Sequence, residues 1–414
     1  MNAILKFFLI HAMVLVGIHA HAQMPYAKGL ASTIMKQYKD SMVVKKFASH
    51  LQQDKEIPAG MTAQQAALER PATWGYEIGV VLIAFEKLFE YENDSVYRDY
   101  AKHIVDHFIQ PDGTIRTYEI TDFNSDFIPP ARILLYLLEQ TGDLKYQKAA
   151  QTIRNQIAWQ PRNQAGGFWH KLKYPSQMWL DGLYMVQPFY AAFANKFNQP
   201  DVYNDIVHQF EVMYQHAKDP KTGLLYHGWD ESRLQRWANP ANGLSPEFWS
   251  RSMGWYMMAL VDVLDYLPST HVGRKVLIQQ LNELTQSLVH FQDQQTGVWW
   301  QITNKGGKDK NYLESSSTAM FVYAIAKGIR LGYLSNNLNA TLKKAYAGME
   351  QQFIRKDDKG QYHYIQAVSG AGLGGTPYRD GTYDYYVNEP KRDDDLKAIG
   401  PFIQACIEMD RLKK

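Results

Sequence analysis

The chain has 414 residues, 44 basic against 42 acidic side chains, 13% aromatic residues with 10 Trp and 27 Tyr, and one cysteine. Near-neutral charge removes the electrostatic footprint that a nucleic-acid partner requires. A single cysteine, Cys406, excludes an intrachain disulfide, so stability must come from a core large enough for Cys406 to serve in it as a small hydrophobe.

Residues 1–22 read as a cleaved export signal: Lys6, an apolar run from Phe7 to Ile18, then the small-x-small triplet Ala20-His21-Ala22. The run is too short to span a bilayer, and no later segment is apolar enough. The expected mature protein is exported, periplasmic or secreted, not inserted in a membrane, and monomeric. Beyond the signal, helical spacing of apolar residues dominates. It predicts helices over 28–51, 73–91, 94–110, 125–140, 143–158, 181–197, 201–218, 250–267, 272–292, 312–333, 336–354 and 393–412. Val298-Trp299-Trp300-Gln301-Ile302 and Tyr362-His363-Tyr364-Ile365 read at most as short hairpin arms. No Pro/Ser/Gly-rich linker interrupts 23–414, so one domain is expected.

Turn residues ending in glycine recur at Gly113, Gly167, Gly223, Gly297 and Gly360, spaced 54, 56, 74 and 63 residues apart. Such a repeat is one helical hairpin with its loops, which must stack on neighbours to bury its apolar stripe. Long aromatic-rich loops favour six hairpins closed into a double ring of about twelve helices, with a site at one end. Polar groups open alternate helices: Asp126, Asp181, Arg251-Ser252 and Glu314-Ser315-Ser316-Ser317. If those helices are the inner ring, their N-termini share one funnel, whose N–H donors suit an anionic ligand.

Chemistry-bearing residues cluster in the same places. Tyr118 to Phe127 holds Asp122 and Asp126, the latter nearer the helix start. Gly166 to Pro188 carries His170, Lys171, Trp179 and Asp181 ahead of an apolar helix. Asp181 there is either a helix cap or, beside Trp179, a carboxylate working on a sugar whose apolar face an aromatic ring can hold. His227 follows the next glycine turn as His170 follows the previous one. His170, His227, Asp126 and Asp181 could ligate a metal, but no His-x-x-x-His or Glu-x-x-His pair lies on a helix face, and no metal is expected. Arg251 starts a helix between Trp249 and Trp255, where it either grips a carboxylate or closes a structural ion pair. Trp74 and Tyr76 form a further aromatic pair aimed at the same end. Gly370 to Thr376 reads as a rim loop, lacking the strand and the Lys-Ser/Thr of a phosphate loop.

These motifs resemble glycoside hydrolase family 105, the unsaturated rhamnogalacturonyl hydrolases, over essentially all of the mature chain. The resemblance rests on Phe168-Trp169-His170-Lys171, Gln177 to Met185, Phe248 to Trp255, and Glu314 to Met320. It implies an all-α six-hairpin (α/α) barrel with its site at the inner-helix N-terminal end. It also implies that Asp181 is the general acid/base and Asp126 a second active-site aspartate. His170, Lys171, Trp179, His227, Trp249, Arg251, Trp255, Trp74 and Tyr76 are the expected substrate contacts. The expected substrate is a lyase-made pectin oligosaccharide, of rhamnogalacturonan type, ending in a 4,5-unsaturated uronate. Its vinyl ether would be hydrated without metal or organic cofactor. Open alternatives are a glucuronyl hydrolase for other lyase products, an inverting glycosidase on saturated glycans, and a non-catalytic glycan-binding protein.

Overall fold

The structure is a computed structural model that describes residues 23–39 and 73–413. Its helices are α1 (Gln23–Gln37), α2 (Tyr76–Glu92), α3 (Ser95–Phe108), α4 (Ala131–Thr141), α5 (Leu144–Trp159), α6 (Leu180–Lys196), α7 (Val202–Ala217), α8 (Ser250–Val263), α9 (Gly273–His290), α10 (Ser315–Arg330), α11 (Asn339–Phe353), the short α12 (Tyr383–Asn388) and α13 (Leu396–Arg411). Helices α2, α4, α6, α8, α10 and α13 each pack on the next, and α13 packs back on α2, closing an inner ring. The remaining long helices lie outside it. Helix α1 packs on α13 and so completes the hairpin of the last inner helix.

Sequence pattern explains which helix goes where. An outer helix carries one apolar stripe: in α3 the buried residues are Tyr97, Ala101, Ile104, Val105 and Phe108, the i, i+4, i+7 spacing of a single face. The inner helices are enclosed over most of their length, with exposed residues kept to their C-terminal ends. Every residue of α8 is buried, as is all of α10 except Arg330. Close approach between inner helices sets local composition too, since a Cβ at Gly400 of α13 would lie 2.7 Å from the Val80 carbonyl oxygen of α2. Cys406 is fully buried, and burial pushes its thiol up.

Charge is also enclosed within the ring. Asp262 of α8 accepts from Arg132 of α4 (2.9 Å), Lys327 of α10 (2.9 Å) and the Tyr323 hydroxyl (2.6 Å). Burial alone would raise its carboxyl; Lys327 and Arg132 outweigh that and hold it well below the usual range.

Three two-stranded antiparallel sheets decorate the loops: β1 (Gln177–Trp179) with β2 (Gly228–Asp230), β3 (Ile354–Lys356) with β4 (Tyr362–Tyr364), and β5 (Ala367–Val368) with β6 (Lys391–Arg392). The first pair ties the His170 loop to the His227 loop, with Trp179 opposite Gly228.

Several boundaries differ from the sequence expectation. The helix expected over 125–140 starts at Ala131, after a separate 3-10 turn at Ser125–Phe127. Pro129 and Pro130 account for this: lacking N–H groups, they are tolerated at a helix entrance and not within it. The first helix is Gln23–Gln37 rather than 28–51; residues 40–51 of that span, like the export signal at 1–22, lie outside the described residues. Helix α12 has too few residues to show a period. In the second glycine turn the left-handed residue is Gly166 (φ 86°), not Gly167.

Replacing Asp262 by Ala would leave Arg132 buried without its carboxylate and Lys327 with Asp265 alone (2.6 Å), which should cost about 3–5 kcal/mol of unfolding free energy. Asp262 is depressed in the folded state. Its contribution should be complete above the unfolded value of about 3.9 and lost as pH falls toward the folded one. Urea unfolding of wild type and D262A across this range checks both statements.

Candidate active site

A cavity of about 500 Å³ opens at the inner-helix N-terminal end. One side is built by Trp74 to Ile78 at the start of α2 and by Asn124 to Phe127. The 170–179 loop and the first turns of α6 form the floor, and the segment from Ser369 to Arg392 forms the opposite wall.

Asp181 stands in the first turn of α6, but it does not cap the helix. The N-cap is Trp179, whose side chain makes no cap bond, and the Leu180 N–H is satisfied by the His227 carbonyl at 3.0 Å. The carboxylate therefore remains available. Its Oδ2 lies 3.1 Å from His227 Nε2, off the ideal hydrogen-bond line, and neither atom has a hydrogen-bond partner among the described residues.

Asp126 occupies the 3-10 turn, where Asn124 caps its N–H at 3.1 Å. Its carboxylate pairs with the Lys171 ammonium, and His170 Nε2 is 3.7 Å away. Burial would raise the Asp126 carboxyl, but Lys171 outweighs it and the result is a lowering. Burial pushes His170 down to about 3, against the pull of Asp126. This imidazole is thus neutral, with Nδ1 3.2 Å from Ser125 Oγ.

His170 and Tyr174 both stack on Trp179, at 4.3 and 4.9 Å between centroids. With 5% exposure and two rings against it, Trp179 offers an edge to the cavity rather than an open face. Trp74 also lines the cavity, held by its Nε1 donating to the Phe127 carbonyl at 2.8 Å. Tyr76 lies beside it, its phenol raised well above the usual value by burial.

Asp181, Asp126, His170, Lys171, Trp179, Trp74 and Tyr76 thus share one cavity; His227, Trp249, Arg251 and Trp255 do not line it. All four were expected to touch substrate, and for Arg251, Trp249 and Trp255 the structure shows what covers them instead. Arg251 donates from Nε to Ser316 Oγ (2.6 Å) and from Nη2 to the Val368 carbonyl, with Glu314 at 3.5 Å. It is the structural ion pair of the two readings. Trp249 packs against Tyr386 of α12, and Trp255 against Tyr184 and Tyr76. The segment from β5 to β6 roofs the ends of α8 and α10, and among the described residues the inner helices that line the cavity are α2 and α6.

That roof supplies residues the sequence did not flag, Arg379 foremost. Arg379 Nε donates to the Gly374 carbonyl (2.8 Å) and Nη2 to Tyr174 Oη (2.7 Å). Among the described residues no acidic side chain lies within ion-pair reach of Arg379, although it lines the cavity. The signal was indirect: the glycine run places a rim loop just before it, and a Cβ at Gly372 would fall 2.2 Å from Arg379 Nη1. Among the described residues no group of three His, Cys, Asp or Glu is placed to hold a metal, and no helix is long and apolar enough to cross a membrane.

The sequence model described as Glycosyl Hydrolase Family 88 matches residues 43–413. A solved family 105 glycoside hydrolase of C. acetobutylicum ATCC 824 is 39% identical, covers 93% of this chain and 99% of its own, and superposes with a TM-score of 0.84. The chain belongs to the family 88/105 glycoside hydrolases. Among its relatives is the unsaturated rhamnogalacturonyl hydrolase YesR of Bacillus subtilis (strain 168). It is 25% identical over 277 residues, or 65% of this chain and 75% of that one. The unsaturated glucuronyl hydrolase of Bacillus sp. GL1 shares the six-hairpin helical fold at 14% identity, with a TM-score of 0.65 over 95% of this chain and 97% of its own.

In this glycoside hydrolase, Arg251→Lys should act on stability and not on substrate binding. An ammonium cannot reproduce the guanidinium's contacts to Ser316 and Val368, so the expected outcome is a Tm lower by several degrees with KM unchanged. Thermal melts and initial-rate kinetics on the same preparation check it; a raised KM at unchanged Tm would return Arg251 to the substrate.

Proposed function

We propose that the enzyme removes a 4,5-unsaturated uronate from the non-reducing end of lyase-made pectin oligosaccharides, those of rhamnogalacturonan first. We further propose that it does so outside the cytoplasm, exported by the signal at 1–22. The observation that carries this reading is the Asp181 carboxylate, not engaged as a helix cap and set into a cavity that also holds Arg379, a cation without an acidic partner within reach among the described residues. A single acid/base beside a seat for a carboxylate suits an unsaturated uronate.

The chemistry follows from the vinyl ether in that sugar. Protonated Asp181 gives its proton to C4, and the positive charge spreads over C5 and the ring oxygen. The resulting carboxylate takes a proton from water as the water oxygen bonds to C5. The hemiketal so formed opens to a C5 ketone, leaving a hemiacetal at C1. That hemiacetal collapses to an aldehyde and releases the aglycone as an alcohol, with one water consumed overall. One carboxylate acts first as acid and then as base. Lys171 keeps Asp126 ionised, so Asp126 accepts hydrogen bonds and does not donate the proton. An inverting enzyme for saturated glycans would need two carboxyl groups acting as separate acid and base, and the Asp126–Lys171 pair weighs against that division.

Asp181→Asn should fold normally, because no cap bond is lost, and should lower the rate of loss of the substrate's ultraviolet absorbance by at least about a hundredfold. Arg379→Gln should raise KM by roughly tenfold or more, the worth of a charge-assisted hydrogen bond, while leaving kcat nearly unchanged. Initial rates on a lyase-digested rhamnogalacturonan give both. Retained turnover in folded D181N would remove Asp181 from the chemistry, and an unchanged KM in R379Q would remove Arg379 from the carboxylate.

A further inference from the structure

We infer that Tyr386, which does not line the cavity, is a positioning residue. Through a buried Tyr386–His227–Asp181 chain it fixes the proton of His227 on the nitrogen facing Asp181. This inference rests on the reading of Asp181 as the acid/base and adds a residue to it. The Tyr386 hydroxyl lies 2.6 Å from His227 Nδ1 and has no other hydrogen-bond partner among the described residues. Burial holds the phenol well above its usual value, so it keeps its hydrogen. A buried O–H with one available acceptor donates to it, because leaving it unpaired is costly. Nδ1 of His227 is then the acceptor, which leaves Nε2 as the nitrogen that carries the ring's proton. Nε2 is the atom 3.1 Å from Asp181 Oδ2.

The ring has no freedom to do otherwise. It is fully buried and packs against Trp249 (4.7 Å) and Trp179 (5.4 Å). Trp249 Nε1 donates to Gln301, which donates in turn to the Tyr386 carbonyl. The roof segment and α8 thereby hold the chain from behind, which gives Trp249 a place in the site without substrate contact. Other charged or titratable groups about Asp181 are His170, the Asp126–Lys171 pair and, on the roof, Arg379 and Glu389. Of these, His170, the Asp126–Lys171 pair and Arg379 are hydrogen-bonded to groups other than His227 and Tyr386.

A donor fixed on Nε2 favours the charged carboxylate. It steadies Asp181 in the form that must next take a proton from water. Removing the Tyr386 hydroxyl lets the protonated carboxyl find a second arrangement, in which it donates to an unprotonated Nε2. The acid form gains by this and the base form does not. The alkaline limb of kcat/KM, which reports loss of that acid, should therefore move to higher pH.

The test has two arms. Nitrogen-15 spectra of the histidine side chains in the intact wild-type enzyme, with His227 assigned by its disappearance in His227→Gln, should show Nδ1 unprotonated and Nε2 protonated. A protonated Nδ1 overturns the inference, whatever the activity and whether or not any Tyr386 variant folds. In the second arm, Tyr386→Phe should move the alkaline limb up by about half to one pH unit. In the His227→Gln background the same change should move it no further. A limb that stays or falls in Y386F, or an equal shift with His227 absent, overturns it. Neither outcome of the spectral arm depends on what Asp181 does, so failure of the acid/base assignment would be seen separately in D181N.

Discussion

The inner helices turn the partly positive ends of their backbones toward one end of the barrel, and each of those ends has to be satisfied where little water reaches. Side chains do this at two of them. Glu314 accepts from the Ser317 N–H and Asp395 from the Lys397 N–H, at 2.7 and 2.9 Å. At α6 a backbone carbonyl, that of His227, takes the role instead. That substitution frees Asp181. A first-turn aspartate that is not needed as a cap can face the cavity, and the loop that relieves it brings the His227 ring to its carboxylate.

The same constraint explains why the funnel is half closed. Glu314, having capped α10, still has acceptor capacity, which Ser316 and the Val368 N–H take up at 2.8–3.0 Å. Arg251 balances the charge. Val368 begins the segment that then crosses over α8, carries Tyr386 down to His227 and brings Arg379 to the rim. One buried glutamate thus anchors a roof that both narrows the cavity and holds the His227 ring that faces Asp181.

Much of this was legible in the sequence where the signal is local. Apolar spacing marked the long helices, and the alternation of polar starts told inner from outer. The block from Trp179 to Met185 singled out Asp181, and His170-Lys171 with Asp126 proved to be neighbours in space. What could not be read was which loop covers which helix end. Trp249, Arg251 and Trp255 sit at an inner-helix start, as expected. Whether such a start meets substrate or roof depends on residues more than a hundred positions later. Arg379 and Tyr386 were hidden for the complementary reason: their segment has no period, and its residues gain meaning only from what they touch. The late start of α4 was readable, since Pro129-Pro130 forbids a helix through them, and helical spacing alone overran it.

The central claim is that one uncapped carboxylate hydrates an unsaturated uronate. It is tested most directly by offering the purified enzyme two oligosaccharides that differ only in the C4=C5 bond of the terminal uronate, and following aglycone release from each. The account predicts release from the unsaturated compound, in step with loss of its ultraviolet absorbance, and none from the saturated one. Comparable release from both, or release that leaves the absorbance in place, would contradict it.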